Sequence, residues 1–192
     1  MKIHDISKGL LSSPVYPGDP MPELRQLRQM AFGDEYNLSE LTMCVHSGTH
    51  LDAPLHFLPD GADVTALPLA DVIGECTVVE LDGPILGADA EELLPRIRDG
   101  RLLIKGDAWL TPSAAFVLSE LKLIGSELAS VAPPEVVASV HRQLLGEGTL
   151  LLENLDLSAV PAGTYFLVAA PIKIEGAEGA PVRAFLFEKE TW

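Results

Sequence analysis

The chain has 192 residues, of which 47% are hydrophobic and 21% are charged. This length and apolar content predict one globular domain over residues 1–192 and exclude a disordered chain. The formal net charge of −15 argues against nucleic acid and anionic membrane surfaces as partners, because like charges repel.

The predicted elements alternate between strands and short helices. Strands are predicted at 41–45, 76–81, 101–105, 121–125 and 149–155, and two further β-rich runs follow at 165–174 and 182–188. Helices are predicted at 88–99, 111–121 and 133–146. The segment EGAEGAP (175–181) is interpreted as a hairpin turn between the last two runs. This order indicates an α/β fold with a mixed sheet and short flanking helices.

The sequence pattern carries neither a membrane nor a disulfide signal. It holds no run of about 18 consecutive apolar residues that could span a bilayer. The start MKIHDISKGLL places Asp5 inside its apolar part, so we expect no signal peptide. Cys44 and Cys76 suit neither a disulfide framework nor a metal-binding spacing. We therefore expect a cytoplasmic protein without membrane contacts.

Candidate metal ligands are concentrated in one short segment. Three of the five histidines fall within eleven residues, in His46-Ser-Gly-Thr-His50-Leu-Asp52-Ala-Pro-Leu-His56. In an extended chain, even-numbered positions share one face, so these side chains would point the same way. A straight strand would separate the two outer histidines, so we expect the segment to curl at the intervening glycine and proline. Imidazole and carboxylate ligands suit Zn, Fe, Mn or Ni, and the absence of thiolates favours a catalytic rather than a structural metal.

His141 and Glu153 form a second candidate pair. His141 lies on the apolar face of the predicted helix 133–146, where by itself it is better explained as a core histidine. Glu153 directly follows a run of three leucines, and a carboxylate at a buried strand end needs a partner. Together with the first segment, the pair offers a second group of one imidazole and one carboxylate, which Asp52 could bridge to the first.

The string HSGTHLDAPLHF (46–57) resembles the signature of the metal-dependent cyclase-like hydrolases, the family that contains bacterial kynurenine formamidase and isatin hydrolase. Every position of the pattern His-x-Gly-Thr-His-x-Asp-x-Pro-x-His is filled. The resemblance extends to YPGDP at 16–20 and to the stretches 141–165 and 170–184. It therefore covers most of the chain.

The resemblance implies an α/β fold of the swivelling β/β/α type, a homodimer or homotetramer, and hydrolysis of the C–N bond of a small amide. It also implies two Zn or Mn ions per chain. One ion would be held by His46, His50 and Asp52, and the other by Asp52, His141 and Glu153.

The resemblance further assigns roles to two residues outside these ligand sets. His56 would be the free histidine that accepts and donates protons. Tyr16 would line the substrate pocket, where formamidases usually present a tryptophan. The stretch 125–130 also departs from the usual family pattern, and both departures bear on the identity of the substrate.

The leading hypothesis is a hydrolase of an aryl formamide such as N-formylkynurenine, or of a cyclic amide. A polyketide-type cyclase or dehydratase is the alternative within enzymes. A non-catalytic, metal-dependent small-molecule binding protein is the alternative outside them. His56 argues against a pure binder, because binding alone requires no unliganded histidine beside a metal.

Overall fold

A mixed sheet of nine strands forms the framework of the chain, as described over residues 2–188 by a computed structural model. The strands are β1 (Ile3–Asp5), β2 (Glu23–Arg28), β3 (Leu38–Thr42), β4 (His50–Asp52), β5 (Ile73–Glu80), β6 (Pro84–Ile85), β7 (Arg101–Lys105), β8 (Trp109–Leu110), β9 (Leu123–Ser126), β10 (Leu150–Glu153), β11 (Gly163–Val168), β12 (Gly179–Pro181) and β13 (Phe185–Glu188). The α-helices are α1 (Leu69–Val72), α2 (Gly87–Leu93), α3 (Pro112–Leu118) and α4 (Val137–Gly146). The predicted α/β class is confirmed.

The strand order in the large sheet is β1-β13-β11-β5-β7-β9-β10-β4-β12. The central strands β5, β7, β9 and β10 run parallel, and the strands on either side of them pair antiparallel. Two short ribbons, β2–β3 and β6–β8, lie outside this sheet. The predicted strand 101–105 matches β7, and the predicted strand 76–81 lies largely within β5.

Alternate residues of the central strands supply two hydrophobic layers. Leu102 and Ile104 of β7 pack in a core cluster with residues of α2, α3 and α4. Leu103 lies in a second cluster, together with Leu123 and Leu152. A strand that is buried on both faces is apolar at successive positions, which explains the continuous run Leu102–Ile104. The three helices therefore cover one face of the sheet.

The helices begin where local chemistry allows. The hydroxyl of Thr111 accepts a hydrogen bond from the backbone N–H of Ala114 at 3.3 Å and thereby caps α3 at its N-terminus. Helix α4 begins at Val137 rather than at Pro133. Pro133 precedes a second proline, which disfavours the helical conformation at Pro133 itself. Within residues 2–188, no helix is long and apolar enough to cross a lipid bilayer.

The predicted hairpin between the last two β-rich runs is confirmed, and the connection between them also supplies an edge strand. β11 and β13 pair antiparallel, with Leu167 opposite Leu186. The segment between them contains β12, which pairs with β4 at the other end of the sheet. The antiparallel pairing of the two runs continues to Pro171 opposite Val182, and the N–H of Ile172 donates to the carbonyl of Pro181 at 3.3 Å. The connection therefore closes the hairpin, and its β12 residues also pair with β4.

The ribbon β2–β3 is exposed on both faces. Every residue of the two strands is exposed, and the connecting segment includes Phe32, which is 81% exposed. A two-stranded ribbon is marginally stable in water unless something packs against it. This exposed ribbon is consistent with the expected homodimer or homotetramer, which stays a prediction.

Arg101 is the largest buried polar side chain of the framework. Its guanidinium donates to the carbonyl oxygens of Asp71 at 2.8 Å and Glu75 at 3.2 Å, and it pairs with the carboxylate of Asp99. Gly74 lies directly against it, since a Cβ there would be 2.5 Å from a guanidinium nitrogen. The backbone at Gly74 also has φ +150°, which disfavours a side chain. Glycine is therefore required for the buried arginine to keep its partners.

We predict that Gly74→Ala lowers the free energy of unfolding by about 3 kcal/mol, because the new methyl group displaces a buried charge from its partners. The matched control is Gly146→Ala at the end of α4, where a Cβ meets nothing within 4 Å. The control should stay within about 1 kcal/mol of the wild type, on the stabilising side. Urea unfolding of both variants tests this, and equal stabilities would contradict it.

Candidate metal centre

Strand β4 carries the first two candidate ligands on one face. His50 and Asp52 are two residues apart on this strand, and both are buried. On the neighbouring strand β10, Glu153 lies opposite His50 in an antiparallel register. Directly paired residues point to the same face of a sheet. Three of the predicted ligands therefore meet on this side of β4 and β10.

His46 and His56 reach the same place from outside the strand. The chain turns before β4 at Gly48, where φ is +64°, and a Cβ there would lie 3.3 Å from Leu10. After β4, Pro54 begins a 3₁₀-helix that ends at His56. The expected curl at the glycine and the proline is confirmed, whereas the expected extended face holds only for the strand itself.

Helix α4 supplies the ligand from the distant part of the chain. The Nε2 atom of His141 is 3.4 Å from Glu153 Oε1 and 3.6 Å from Asp52 Oδ2. Its Nδ1–H donates to the carbonyl of Val137 at 2.9 Å, which turns Nε2 toward the carboxylates. The buried His141 is therefore part of the cluster rather than an isolated core histidine, and its role as a ligand stays a prediction.

The side chains form two groups with metal-binding geometry, and Asp52 belongs to both. His46, His50 and Asp52 form one group, and Asp52, His141 and Glu153 form the other, each with ligand atoms within 4.8 Å of one another. Asp52 Oδ1 is 2.9 Å from His46 Nδ1 and 3.4 Å from His50 Nε2. These are the two ligand sets that the family resemblance implies, and their role as ligands stays a prediction.

The donor set fits a divalent cation. Asp52 is fully buried, and its Oδ2 has no hydrogen-bond partner within residues 2–188. A buried carboxylate oxygen that accepts no hydrogen bond is costly. Imidazole nitrogens and carboxylate oxygens together are ligands of Zn and Mn. A cation between these groups would satisfy the free oxygen and offset the cost of burial.

The ionisation of the cluster follows from its mutual contacts. Burial opposes the charge on Asp52, but the surrounding histidines hold the pKa of its carboxyl well below the usual range. Burial likewise opposes the charge on His50, yet its contact with Asp52 raises its pKa to about 9. Against the same burial, Asp52 and Glu153 raise the pKa of His141 to about 10. Without a metal, both imidazoles are therefore protonated at neutral pH.

His56 differs from the other three histidines of the cluster. It belongs to neither ligand group, although the centroid of its ring is 4.1 Å from the centroid of the His46 ring. Burial lowers its pKa, and the charge of Asp52 only partly opposes this effect. His56 is thus a neutral imidazole at pH 7 that lies beside the cluster and outside both candidate groups.

A cavity of about 330 Å³ opens over the cluster. Tyr16 lies in its wall, as the sequence predicts, and His56 lines it as well. Two further residues of the wall were not predicted from the sequence. One is Phe57, whose ring centroid is 4.6 Å from that of His141, and the other is Ser130, which belongs to the stretch that departs from the family pattern. Phe57 directly follows His56 in the signature, which is the signal that could have identified it.

A family model and several known proteins match this chain over most of its length. A family model described as "Putative cyclase" matches residues 4–105, which is more than half of the chain. A kynurenine formamidase from Erythrobacter litoralis is 37% identical over 97% of this chain and 94% of its own length. Another, from Paracidovorax citrulli, is 35% identical over 91% of this chain and 90% of its own length.

Solved structures share the fold over nearly the whole chain. A protein described as a potential metal-dependent hydrolase with cyclase activity is 29% identical, with a TM-score of 0.83 over 99% of both chains. An isatin hydrolase bound to the product analogue thioisatinate is 20% identical, with a TM-score of 0.82 over 98% of this chain and 93% of that one. At this lower identity, the second match supports the fold alone.

The raised pKa values predict that metal binding releases protons. His50 and His141, with pKa values of about 9 and 10, must lose their Nε2 protons to become ligands. We expect release of about two protons per chain at pH 7 and tighter Zn²⁺ binding as pH rises from 6 toward 9. Titration calorimetry in buffers of different ionisation enthalpy measures this number. Binding that is independent of both pH and buffer would contradict the prediction.

Proposed function

The chain belongs to the Cyclase family, and from this membership and the buried cluster we propose that it is a metal-dependent hydrolase of amide C–N bonds. The observation that carries the proposal is the buried Asp52 carboxylate, which three imidazoles surround and whose Oδ2 has no hydrogen-bond partner within residues 2–188. The names of the formamidase relatives support the reaction class.

The proposed ligand sets are the two groups that share Asp52. His46 and His50 would complete the first set, and His141 and Glu153 the second, each holding a Zn or Mn ion. A divalent ion bound there makes water acidic enough to act as a nucleophile at neutral pH. Glu153 is fixed for its part by the backbone N–H of Val131, which donates to its Oε1 at 2.9 Å.

His56 is proposed as the group that moves protons. It lines the cavity and is neutral at pH 7, so it can accept a proton from the attacking water. The same imidazole, once protonated, can donate to the departing nitrogen. Because it belongs to neither ligand group, its lone pair is free for this purpose.

The cavity favours an aromatic amide as the substrate. Its walls include the aromatic rings of Tyr16 and Phe57, and the ring of His56 lies beside that of Phe57 at 4.5 Å. Flat aromatic side chains offer surface against which a substrate ring can pack. An aryl formamide such as N-formylkynurenine, or a cyclic amide such as isatin, fits this description.

The proposal is tested by assaying these two amides in ¹⁸O-labelled water with Zn²⁺ or Mn²⁺ present. Hydrolysis places the label in the carboxylic acid product. Turnover of either amide without labelled product would contradict hydrolysis. Absence of turnover for a panel of aryl formamides and cyclic amides, in a protein that holds metal, would favour the binding protein.

We predict that Asp52→Ala empties both metal sites or halves the metal content, because this residue belongs to both ligand groups. The control is Asp19→Ala, which makes the same change in the wall of the same cavity but outside both groups. Elemental analysis after dialysis measures metal per chain. Full metal retention in Asp52→Ala would rule out the shared ligand.

We predict that His56→Ala keeps its metal and loses turnover by a factor of about 10²–10⁴, the usual contribution of a positioned acid–base group. Metal content and the turnover number should be measured on the same preparation. Loss of metal together with activity would identify His56 as a ligand instead.

A further inference from the structure

The outer nitrogens of two candidate ligands are held by backbone carbonyls. Nδ1–H of His50 donates to the carbonyl of Gly48 at 2.9 Å, and Nδ1–H of His141 donates to that of Val137 at 2.9 Å. Metal-binding histidines typically donate their second ring N–H to a carbonyl or a carboxylate, which fixes the ring and the tautomer. In both residues Nε2 is thereby directed toward Asp52.

His46 presents the opposite ring nitrogen to Asp52. Its Nδ1 faces Asp52 at 2.9 Å, so Nε2 is the outer nitrogen. This Nε2 is buried and has no hydrogen-bond partner among the residues that the structure describes. An imidazole that offers Nδ1 to a metal carries its proton on Nε2, and a buried N–H without an acceptor is costly. The third ligand thus lacks the outer contact that fixes the other two.

A carboxylate lies just beyond hydrogen-bonding distance of this nitrogen. Glu178 Oε1 is 3.6 Å from His46 Nε2, and the Glu178 side chain is 43% exposed. The Glu178 backbone is fixed, because its carbonyl accepts the N–H of Ala53 at 2.8 Å. A small rotation of the side chain therefore brings the carboxylate into contact without moving the chain.

The residue after Glu178 is Gly179, whose backbone packs closely against the His46 ring. A Cβ at Gly179 would lie 2.8 Å from His46 Cε1 and 2.9 Å from the carbonyl oxygen of Leu51. In the sheet, Gly179 is paired with Asp52. The edge strand β12 therefore packs its bare backbone against the ring, and the residue that precedes this strand points a carboxylate at the ring's outer nitrogen.

We propose that Glu178 is a positioning residue for His46. Its carboxylate accepts the Nε2–H of His46, which keeps the lone pair of Nδ1 directed toward Asp52 and the metal. This inference rests on the proposed metal centre, and it concerns the affinity of the site rather than the proton transfers at His56. Glu178 does not touch the substrate in this role.

The test compares Glu178→Ala, Glu178→Gln and the control Glu175→Ala, with Zn²⁺ as the probe. Glu175 is an exposed residue three positions earlier, so its removal deletes the same charge from the same segment without touching His46. Zn²⁺ affinity is measured by competition with a chromophoric chelator at fixed pH. Thermal unfolding of the metal-free variants shows whether the fold itself has changed.

We expect Glu178→Ala to weaken Zn²⁺ binding by about 10–100-fold, the usual effect of removing such an outer contact. Glu175→Ala should stay within about twofold of the wild type. Glu178→Gln should recover most of the loss, because its amide oxygen still accepts a hydrogen bond. All metal-free variants should unfold at the wild-type temperature.

Equal affinities of Glu178→Ala and Glu175→Ala would overturn the role of Glu178 while leaving the metal centre in place. A loss of affinity matched by a lowered unfolding temperature of the metal-free protein would assign Glu178 to the fold instead. A wild-type protein that takes up no Zn²⁺ or Mn²⁺ would overturn the proposed function, and this inference with it.

Discussion

The desolvation of one carboxylate is the constraint on which the functional part of this molecule depends. Asp52 is fully buried, and it stays ionised because three imidazoles surround it. Those imidazoles compensate one oxygen better than the other, since Oδ2 has no hydrogen-bond partner within residues 2–188. Burying such a group is unfavourable unless a cation or a proton completes its environment. A divalent cation satisfies the carboxylates and the imidazoles together, which is the physical basis of the proposed hydrolase.

The fold delivers this cluster through long-range pairing. The short strand β4 lies between β10, which brings Glu153 opposite His50, and the edge strand β12, which packs against His46. Helix α4 packs against β10, so that the His141 side chain lies on the face of the sheet that carries Glu153. Ligands separated by about a hundred residues in sequence thus meet within a few ångströms. Each one is held by an element whose own position is fixed by the hydrophobic layers of the sheet.

Sequence reasoning succeeded where local geometry decides the outcome. The two-residue period of a strand placed His50 and Asp52 on one face, and the structure has them there. It did not show that residues 179–181 also pair with β4, because no local pattern identifies a partner so distant in the sequence. Glu178 was invisible for the same reason, since its contact with His46 follows from that pairing. The resemblance of the signature to a family supplied the ligand sets, which spacing alone left open.

The most direct test of a cation-centred cluster is a crystal structure of the protein grown with Zn²⁺, with anomalous differences measured on either side of the zinc absorption edge. If cations centre the cluster, the map will show two strong peaks on opposite sides of the Asp52 carboxylate. One should lie against His46 and His50, and the other against His141 and Glu153. A map without a peak at Asp52, from a protein with intact imidazole geometry, would contradict the account and leave the cluster a purely structural network.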